Sequence, residues 1–398
     1  MQVIYSTMKK QIRFYVTLFF LFNSALLYCS INKVVVGAEQ PEKYIHLLKD
    51  KKVALLGNHT SLIHKKHLLD YLIEQKINVV AAFSPEHGFR GTADAGEQVK
   101  NRVDEKTGVP LLSLYDGKHK KPSASSVAQF DILLVDIQDV GLRFYTYYIA
   151  MLKLMDVCAE YNKEVIILDR PNPNGHYVDG PILQEKFYSG VGALPIPIVH
   201  GMTLGELAQM INGEKWLTKN RICKLQIIPC QNYNHQTEYT PPVPPSPNLP
   251  NIKAIYLYPS LCYFEGTTVS VGRGTSFPFQ VFGHPQIKNA PYSFIPKSKP
   301  GAKNPPHINQ RCFGYSLTTH NNELIRNKEI DLSYLIYCYN QLKSQGKFFN
   351  AMFNLLIGVD YVKTMIINGA SANEIKAKWA DDVEFFRKQR KPYLLYEE

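Results

Sequence analysis

Short apolar runs alternate with longer amphipathic stretches through the first half of the chain. Apolar runs of strand length, separated by stretches of helix length, are typical of parallel strands that helices cover on both faces. The predicted strands are residues 52–57, 78–83, 131–135 and 164–168. The predicted helices lie near 67–75 and 147–161. No GxGxxG motif follows the first strand, so the pattern predicts a Rossmann-like, mostly parallel sheet without the dinucleotide-binding fingerprint.

A proline-rich stretch separates this region from the rest of the chain. Residues 240–250 read TPPVPPSPNLP, and proline fixes φ and lacks an N–H, so this stretch is neither helix nor central strand. We interpret it as an interdomain linker or as a rigid wall of the site, because Ser246 and Asn248 lie within it. Helical patterns at 333–341 and 372–389 indicate a second, smaller α/β domain. The predicted division is a signal peptide at 1–30, a Rossmann-like domain at 31–240, the proline-rich segment at 241–258 and the smaller domain at 259–398.

The N-terminus has the pattern of a secretory signal. The uncharged residues 14–27 follow three basic residues, Lys9, Lys10 and Arg13, as in a secretory signal. This uncharged run is shorter than a membrane span, which needs about 20 apolar residues. We therefore expect an exported protein, periplasmic or secreted, cleaved near residue 30 or as late as residue 38. Lipidation at Cys29 or an uncleaved membrane anchor is the alternative. We favour simple export over lipidation, because the residue before Cys29 is a bulky tyrosine.

Charge and cysteine spacing narrow the class of partner. The formal net charge is +11, which suits an anionic partner such as a cell-wall polymer. No nucleic-acid-binding motif is present, so we expect no nucleic acid, and nothing in the sequence indicates a stable protein partner. The cysteines are dispersed through apolar segments without metal-ligand spacing, which argues against a cysteine-based zinc site.

Polar side chains follow each of the four predicted strands. Because the carboxyl ends of parallel strands meet at one edge of a sheet, we expect these side chains to share one pocket. Taken singly, each loop has a plain structural explanation, such as a helix cap, an ion pair or a turn. The polar residues at these exits are Asn58, His59, Glu86, His87, Arg90, Asp136, Asp139, Arg143, Asp169, Arg170 and Asn172.

These residue types fit acid–base hydrolysis of a glycosidic bond. Such a reaction needs a carboxylic acid to protonate the leaving oxygen, and Glu86, in the sequence SPEHGFRG, is the best candidate. Its partner carboxylate is Asp136, Asp139 or Glu265. Metal-assisted hydrolysis is the rival, with ligands drawn from His59, Glu86, His87, Asp136 and His200, although no HxH or HExxH spacing supports it. No GxSxG motif indicates a serine nucleophile. The residues alone thus predict a hydrolase-like pocket.

As a set, the longest motifs resemble those of the exo-β-N-acetylmuramidase family, the NamZ-like glycosidases. The resemblance keeps one order from about Val34 to the C-terminus. The motifs are SPEHGFRGTADAGEQV (84–99), DIQDVGLRFYTY (136–147), DRPNPNG (169–175), HGMTLGELA (200–208), PPSPNLP (244–250), FEGTTVSVGRGT (264–275) and RKPYLLY (390–396).

The resemblance implies a two-domain α/β enzyme whose active site lies in a cleft between the domains. It implies release of N-acetylmuramic acid from the non-reducing ends of peptidoglycan-derived glycans, in cell-wall turnover or recycling, without cofactor or metal. Glu86 matches the glutamate of the family's PEHG motif. We therefore expect Glu86, Asp136 and Glu265 to be catalytic. The expected substrate-binding residues are Asn58, His87, Arg90, Asp139, Arg143, Asp169, Asn172, His200 and Arg273.

Two positions depart from the family pattern, which raises the possibility of altered specificity. His59 stands where the family has a TNQT-like sequence, and Thr268 stands where asparagine is usual.

Muramic acid carries a lactyl carboxylate, which Arg90, Arg143 or Arg273 could bind bidentately. The substrate's own acetamido group could act as the nucleophile. The alternative functions are a non-catalytic envelope protein that binds sugars or muropeptides, and a metal-dependent hydrolase.

Overall fold

Seven strands of the first half form one mixed sheet, and two further short strands form a separate hairpin. The computed structural model of the chain describes residues 33–85, 89–90, 102–112, 114 and 122–398. Its strands are β1 (Val53–Gly57), β2 (Leu62–Ile63), β3 (Lys66–His67), β4 (Val79–Phe83), β5 (Arg102–Val103), β6 (Pro110–Leu112), β7 (Ile132–Asp136), β8 (Glu164–Leu168), β9 (Lys224–Ile228), β10 (Val281–His284), β11 (Tyr292–Phe294) and β12 (Cys312–Ser316).

The large sheet has seven strands in the order β5-β6-β4-β1-β7-β8-β9. All neighbours pair in parallel except β5 and β6 at one edge. Every residue of β1 and β7 is buried, which explains why their sequences are continuously apolar. Alternate residues face opposite sides of a sheet, and Leu56 and Val135 pack in one core cluster while Leu55 and Leu134 pack in another. The α/β prediction, with a mostly parallel sheet, is confirmed.

Helices cover this sheet and make up most of the second half. They are α1 (Pro41–Leu48), α2 (Leu68–Glu74), α3 (Ala124–Val127), α4 (Tyr147–Glu160), α5 (Leu204–Gly213), α6 (Ile252–Leu261), α7 (Asn322–Arg326), α8 (Ser333–Leu342), α9 (Met352–Ile357), α10 (Tyr361–Ile367), α11 (Ala372–Lys378) and α12 (Ala380–Arg390). Within the described ranges, none of these helices combines the length and apolar character that crossing a membrane requires.

The second half carries a small antiparallel sheet in the order β10-β12-β11. The sequence predicts one helix over 372–389, but the structure divides it into α11 and α12 at Trp379. The backbone of Trp379 leaves helical geometry (φ −109°, ψ 10°), and its buried indole Nε1 donates to Oδ1 of Asp179 at 2.8 Å. A contact with the first half therefore fixes the break.

The last residues of the chain bind back onto the large sheet. The backbone N–H of Leu395 donates to Oε1 of Glu206 at 2.9 Å, the same oxygen that the His235 imidazole contacts at 3.0 Å. The hydroxyl of Tyr396 donates to Oδ2 of Asp169, directly after β8, at 2.7 Å. Glu206 is fully buried. The two halves of the chain are thus joined through buried carboxylates.

Candidate functional site

A pocket of about 340 Å³ opens between three parts of the chain. One side is the segment that leads from the carboxyl end of β7 into α4, the second is the end of the proline-rich stretch, and the third is the turn after α6. The pocket thus lies where the two halves of the chain meet. Its lining consists of Phe144, Tyr145, Thr146, Tyr147, Val191, Ser246, Asn248, Leu249, Tyr258, Cys262, Glu265, Arg273, Phe279, Met352 and Leu356.

Hydrogen bonds hold the proline-rich segment in place as one wall of this pocket. The hydroxyls of Tyr145 and Tyr147 both donate to the carbonyl of Pro245, at 2.8 and 3.0 Å. Nε2 of His59, from the loop after β1, contacts the carbonyl of Pro244 at 2.8 Å. Because prolines fix their own φ angles, these contacts hold a stiff segment in one position. His59, which departs from the family pattern, therefore supports the wall from behind.

Glu265 and Arg273 are the charged side chains of the lining. Glu265 lies in a 3-10 turn, Cys262–Gly266, that continues α6. Arg273 lies between Gly272 and Gly274, which both have positive φ (77° and 78°), the left-handed conformation that glycine adopts most readily. This turn places Nε of Arg273 2.6 Å from Oε1 of Glu265.

Glu265 and Phe279 both contact the guanidinium of Arg273, and part of the guanidinium remains open to the pocket. Its guanidinium lies 5.2 Å from the centre of the Phe279 ring, a cation–π contact. Burial alone would lower the pKa of Arg273, but the charge of Glu265 and their hydrogen bond outweigh it and raise that pKa. Among the described residues, no acceptor bonds to the terminal nitrogens Nη1 and Nη2. The Arg273 side chain is 21% exposed and that of Glu265 29%, so both remain open to a ligand.

Arg90, unlike Arg273, forms ion pairs with two aspartates outside the pocket. Its Nε and Nη2 donate to the two oxygens of Asp104 at 2.9 and 2.8 Å, and Nη2 also contacts Asp70 at 3.1 Å. The hydrogen bonds from Arg90 lower the pKa of Asp104 to about 2. The neighbouring Phe89 is buried against the ring of His67. Arg90 therefore anchors the chain after β4 and is not part of the pocket lining.

Arg143 joins the two halves underneath the pocket. Nη1 donates to the carbonyls of Pro181 and Ile196 at 2.8 and 2.9 Å, and Nη2 to those of Leu356 and Ile357 at 3.0 and 2.8 Å. The side chain is fully buried, and this burial lowers its pKa to about 10. Both terminal nitrogens are used by backbone carbonyls, so the structure places Arg143 as a support of the pocket floor.

Asp136 and Arg170 form a buried ion pair. The two carboxylate oxygens of Asp136 accept from Nε and Nη2 of Arg170 at 2.5 and 2.9 Å. Nη2 also donates to the carbonyl of Leu62 at 2.8 Å. Neither residue lines the pocket. The geometry places Asp136, predicted as catalytic, in a pair that ties the β7 exit to the β8 exit.

Two further aspartates lie at the same sheet edge. Oδ1 of Asp139 accepts from the N–H of Gly141 at 2.7 Å, while its buried Oδ2 has no hydrogen-bond partner among the described residues. Burial raises the pKa of Asp139 to about 7. Burial also raises the pKa of Asp169, to about 6, against the hydrogen bonds from Thr203, Tyr396 and the Gly205 N–H. Asp169 is therefore used to join chain segments.

Three predicted polar residues shape the surrounding loops. Oδ1 of Asn58 accepts from the N–H and hydroxyl of Thr60 at 2.9 and 2.6 Å. Nδ2 of Asn172 donates to the carbonyl of Met202 at 2.9 Å. Nδ1 of His200 accepts from the N–H of Met202 at 3.2 Å, and burial lowers the pKa of this histidine to about 3, so it is neutral. All three side chains are buried.

Of the predicted site residues, the structure thus brings Glu265 and Arg273 into the pocket. Glu86 and His87 lie outside the described residues. Sequence reasoning missed the aromatic lining, including Tyr258 and Phe279, and the contribution of Met352. The FYTY stretch at 144–147 is the available signal for part of that lining. Within the described ranges, no group of three or more His, Cys, Asp or Glu side chains is arranged to hold a metal ion.

Comparison of the sequence with models of known protein families identifies the class of protein to which this chain belongs. A family model described as exo-beta-N-acetylmuramidase NamZ, N-terminal, matches residues 53–253, and its C-terminal counterpart matches residues 256–396. The chain therefore belongs to the NamZ exo-β-N-acetylmuramidase family of glycoside hydrolases. The predicted resemblance is confirmed.

One curated relative and two solved structures agree with this membership. The chain is 36% identical over 375 residues to the peptidoglycan beta-N-acetylmuramidase NamZ of Bacillus subtilis (strain 168), covering 89% of each chain. It is similar to the crystal structure of a DUF1343 family protein from Bacteroides fragilis NCTC 9343, with a TM-score of 0.86 and 60% identity, covering 92% of this chain and 100% of that one. A second DUF1343 protein from that organism gives a TM-score of 0.78 at 27% identity, covering 92% and 99%.

Proposed function

We propose that this protein is an exo-acting β-N-acetylmuramidase that releases N-acetylmuramic acid from the non-reducing end of peptidoglycan-derived glycans. One observation carries the proposal beyond family membership: the pocket contains an arginine beside a glutamate, and the terminal nitrogens of that arginine bond to none of the described residues. N-acetylmuramic acid differs from N-acetylglucosamine by a lactyl ether that bears a carboxylate. A site selective for it needs a cation among its sugar contacts, and Arg273 supplies one.

The other two candidate arginines are less suited to that task. Arg90 is bound by Asp104 and Asp70, and both terminal nitrogens of Arg143 are bound by backbone carbonyls. Arg273 uses Nε for Glu265 and leaves Nη1 and Nη2 for a ligand. A guanidinium offers parallel N–H donors that match a carboxylate. This comparison favours Arg273 as the group that recognises the lactyl carboxylate.

The rest of the lining suits a single sugar. Tyr145 and Tyr258 present aromatic surface, Asn248 presents a polar side chain, and the wall behind them is fixed. A volume of about 340 Å³ is at the small end of ligand sites. A pocket of this size fits one terminal residue better than the middle of a chain, which supports exo action.

For the chemistry, Glu86 is our proposed general acid, because it corresponds to the glutamate of the family's PEHG motif. Glu265 is the described carboxylate in the pocket that is best placed to orient the substrate. The acetamido oxygen of the substrate then attacks the anomeric carbon while the glycosidic C–O bond breaks and Glu86 protonates the leaving oxygen. Water, deprotonated by Glu86, opens the resulting oxazolinium ion to give N-acetylmuramic acid. This route is a known exception to the scheme with two protein carboxylates. We further propose that the protein acts outside the cytoplasm in cell-wall turnover, which the basic and then apolar N-terminus supports.

The test is incubation with the disaccharide in which N-acetylmuramic acid is β-linked to N-acetylglucosamine. We expect equal amounts of the two monosaccharides by liquid chromatography and mass spectrometry, and loss of both with Glu86→Gln. Saturable binding of the disaccharide without products would instead support a sugar-binding protein. Activity that disappears in chelator and returns with added metal would support a metal-dependent hydrolase.

A further inference from the structure

One stretch of the second half contains basic residues but no acidic ones. Residues 266–322 contain no aspartate or glutamate, although the whole chain has 34 acidic residues. The stretch includes the turn that carries Arg273 and all of the small β10-β12-β11 sheet. Its cations are Arg273, Lys288, Lys297, Lys299, Lys303 and Arg311.

Part of this stretch lies directly against the pocket. We name residues 295–303 the lysine loop. Nδ2 of Asn248, in the pocket wall, donates to the carbonyl of Gly301 at 2.8 Å. The N–H of Lys297 donates to the carbonyl of Gly274, next to Arg273, at 3.0 Å. The lysine loop is therefore fixed to two sides of the pocket, while Lys297 and Lys299 are themselves exposed.

Some lysines elsewhere on the surface lie beside acids. Lys66 pairs with Glu74 at 2.6 Å, and Lys388 pairs with Glu384 at 3.1 Å. Such mixed pairs cancel one another's field at a distance. The lysine loop has no acid within its own stretch of sequence, and Lys297 and Lys299 are exposed without an ion pair among the described residues. These two charges therefore add a positive field at the rim of the pocket. Solubility alone does not explain why the acids are missing at this place.

We propose that the lysine loop binds the carboxylates of the glycan chain that extends out of the pocket. This inference rests on the proposed function. When a terminal N-acetylmuramic acid occupies the pocket, the next muramoyl residue lies one disaccharide further along the chain. In a glycan from which the stem peptides have been removed, each muramoyl residue carries a free carboxylate. The chain is then a regular polyanion that starts at the pocket and crosses its basic rim.

The experiment compares two substrates in one double variant, Lys297→Gln/Lys299→Gln. The substrates are the disaccharide and peptide-free glycans of four or more disaccharides. We expect kcat/KM for the disaccharide to stay unchanged and kcat/KM for the long glycan to fall about three- to tenfold, as for two exposed charge contacts. In the unaltered protein, salt should weaken the preference for long chains, and in the variant this salt effect should shrink.

The matched control is Lys49→Gln/Lys51→Gln, which removes the same charge. Both lysines are exposed and precede β1, so they lie toward the opposite edge of the sheet. An equal loss in this control would show that net charge alone matters and would overturn the proposal. So would a variant that keeps the preference for long chains, or that loses equally on both substrates. The unaltered protein's activity on the disaccharide reports separately on the proposed function.

Discussion

Nε of Arg273 donates to Oε1 of Glu265 across 2.6 Å, and both side chains line the same pocket. The pair is formed by two short turns of the second half, one after α6 and one between two glycines. Because Glu265 occupies only Nε, it fixes the plane of the guanidinium while its terminal nitrogens remain available. The carboxylate thus orients the arginine.

Replacing Arg273 should change which sugar is accepted. With Arg273→Gln, we expect kcat/KM on a chromogenic N-acetylmuramide to fall by about 10²-fold, since one charge-assisted bidentate contact is lost. With the corresponding N-acetylglucosaminide, which lacks the carboxylate, the small activity should be unchanged. Arg273→Lys restores the charge without the planar fork and should recover only part of the loss. Equal losses on both sugars would show that Arg273 does not read the lactyl group.

Glu265 should act on turnover more than on binding. Glu265→Gln keeps the shape of the side chain and removes its charge, so we expect a fall in kcat of about 10²-fold or more with a small change in KM. The measurement is steady-state kinetics on the same muramide. Glu74→Gln, a surface carboxylate that pairs with Lys66 away from the pocket, serves as the control and should leave kcat within about twofold. If KM alone rises in Glu265→Gln, the carboxylate is a binding group.

The Asp136–Arg170 pair should matter for stability. Asp136→Asn leaves the buried Arg170 without a counter-charge, and removal of one partner of such a pair costs about 3–5 kcal/mol. Urea unfolding followed by circular dichroism measures this as a lower midpoint. Asp104→Asn, whose partner Arg90 is one-third exposed, should lower the midpoint much less. Comparable shifts in the two variants would contradict the importance of burial here.

Asp139 should make stability depend on pH. Its pKa is about 7 in the folded protein and about 3.9 in an unfolded chain. The folded state therefore holds the proton more tightly, and this contribution is complete below about pH 4 and lost as pH rises through 7. We expect the unfolding midpoint to fall between pH 5 and pH 8 in the unaltered protein and to fall less in Asp139→Asn. Identical pH profiles would assign the dependence to other groups, such as Asp169.

If the protein is exported as we propose, its mature N-terminus should precede Val35. Val35 pairs with Gln231 in a β-bridge, the N–H of Gly37 donates to the Asp169 carbonyl at 2.8 Å, and Ala38 is fully buried. Cleavage after residue 38 would remove these contacts, so cleavage near residue 30 is expected. Mass spectrometry of the exported protein gives the mass directly. A mature chain that starts at Glu39 and still unfolds cooperatively would contradict this reading of the contacts.

The strands were predictable because β1, β7 and β8 are buried on both faces and so carry continuous apolar sequence. The rule that parallel strands share a carboxyl edge also places Asp136 and Asp169 near one another. It does not say which polar groups face a ligand. Asp136 finds Arg170, and Arg143 finds four carbonyls, through contacts between residues 30 to more than 200 positions apart. The pattern of hydrophobic and polar positions does not indicate which distant residues become partners.

The contacts within the pocket could not be predicted from the sequence either. Glu265 and Arg273 were predicted from motifs, yet their mutual contact depends on how the GRG turn is folded. The break at Trp379 depends on Asp179, far away in the chain. Local propensity favours a continuous helix there, and a tertiary hydrogen bond decides otherwise.

The contacts of Leu395 and Tyr396 with Glu206 and Asp169 set a limit on how this protein can be made. On the ribosome, both acids emerge long before the residues that bind them, so the large sheet cannot reach its final packing until Leu395 and Tyr396 have been made. Dividing the chain between its two matched regions would leave a first fragment in which Glu206 and Asp169 each lack some of their hydrogen bonds. An affinity tag that displaces Leu395 or Tyr396 would disturb the same contacts.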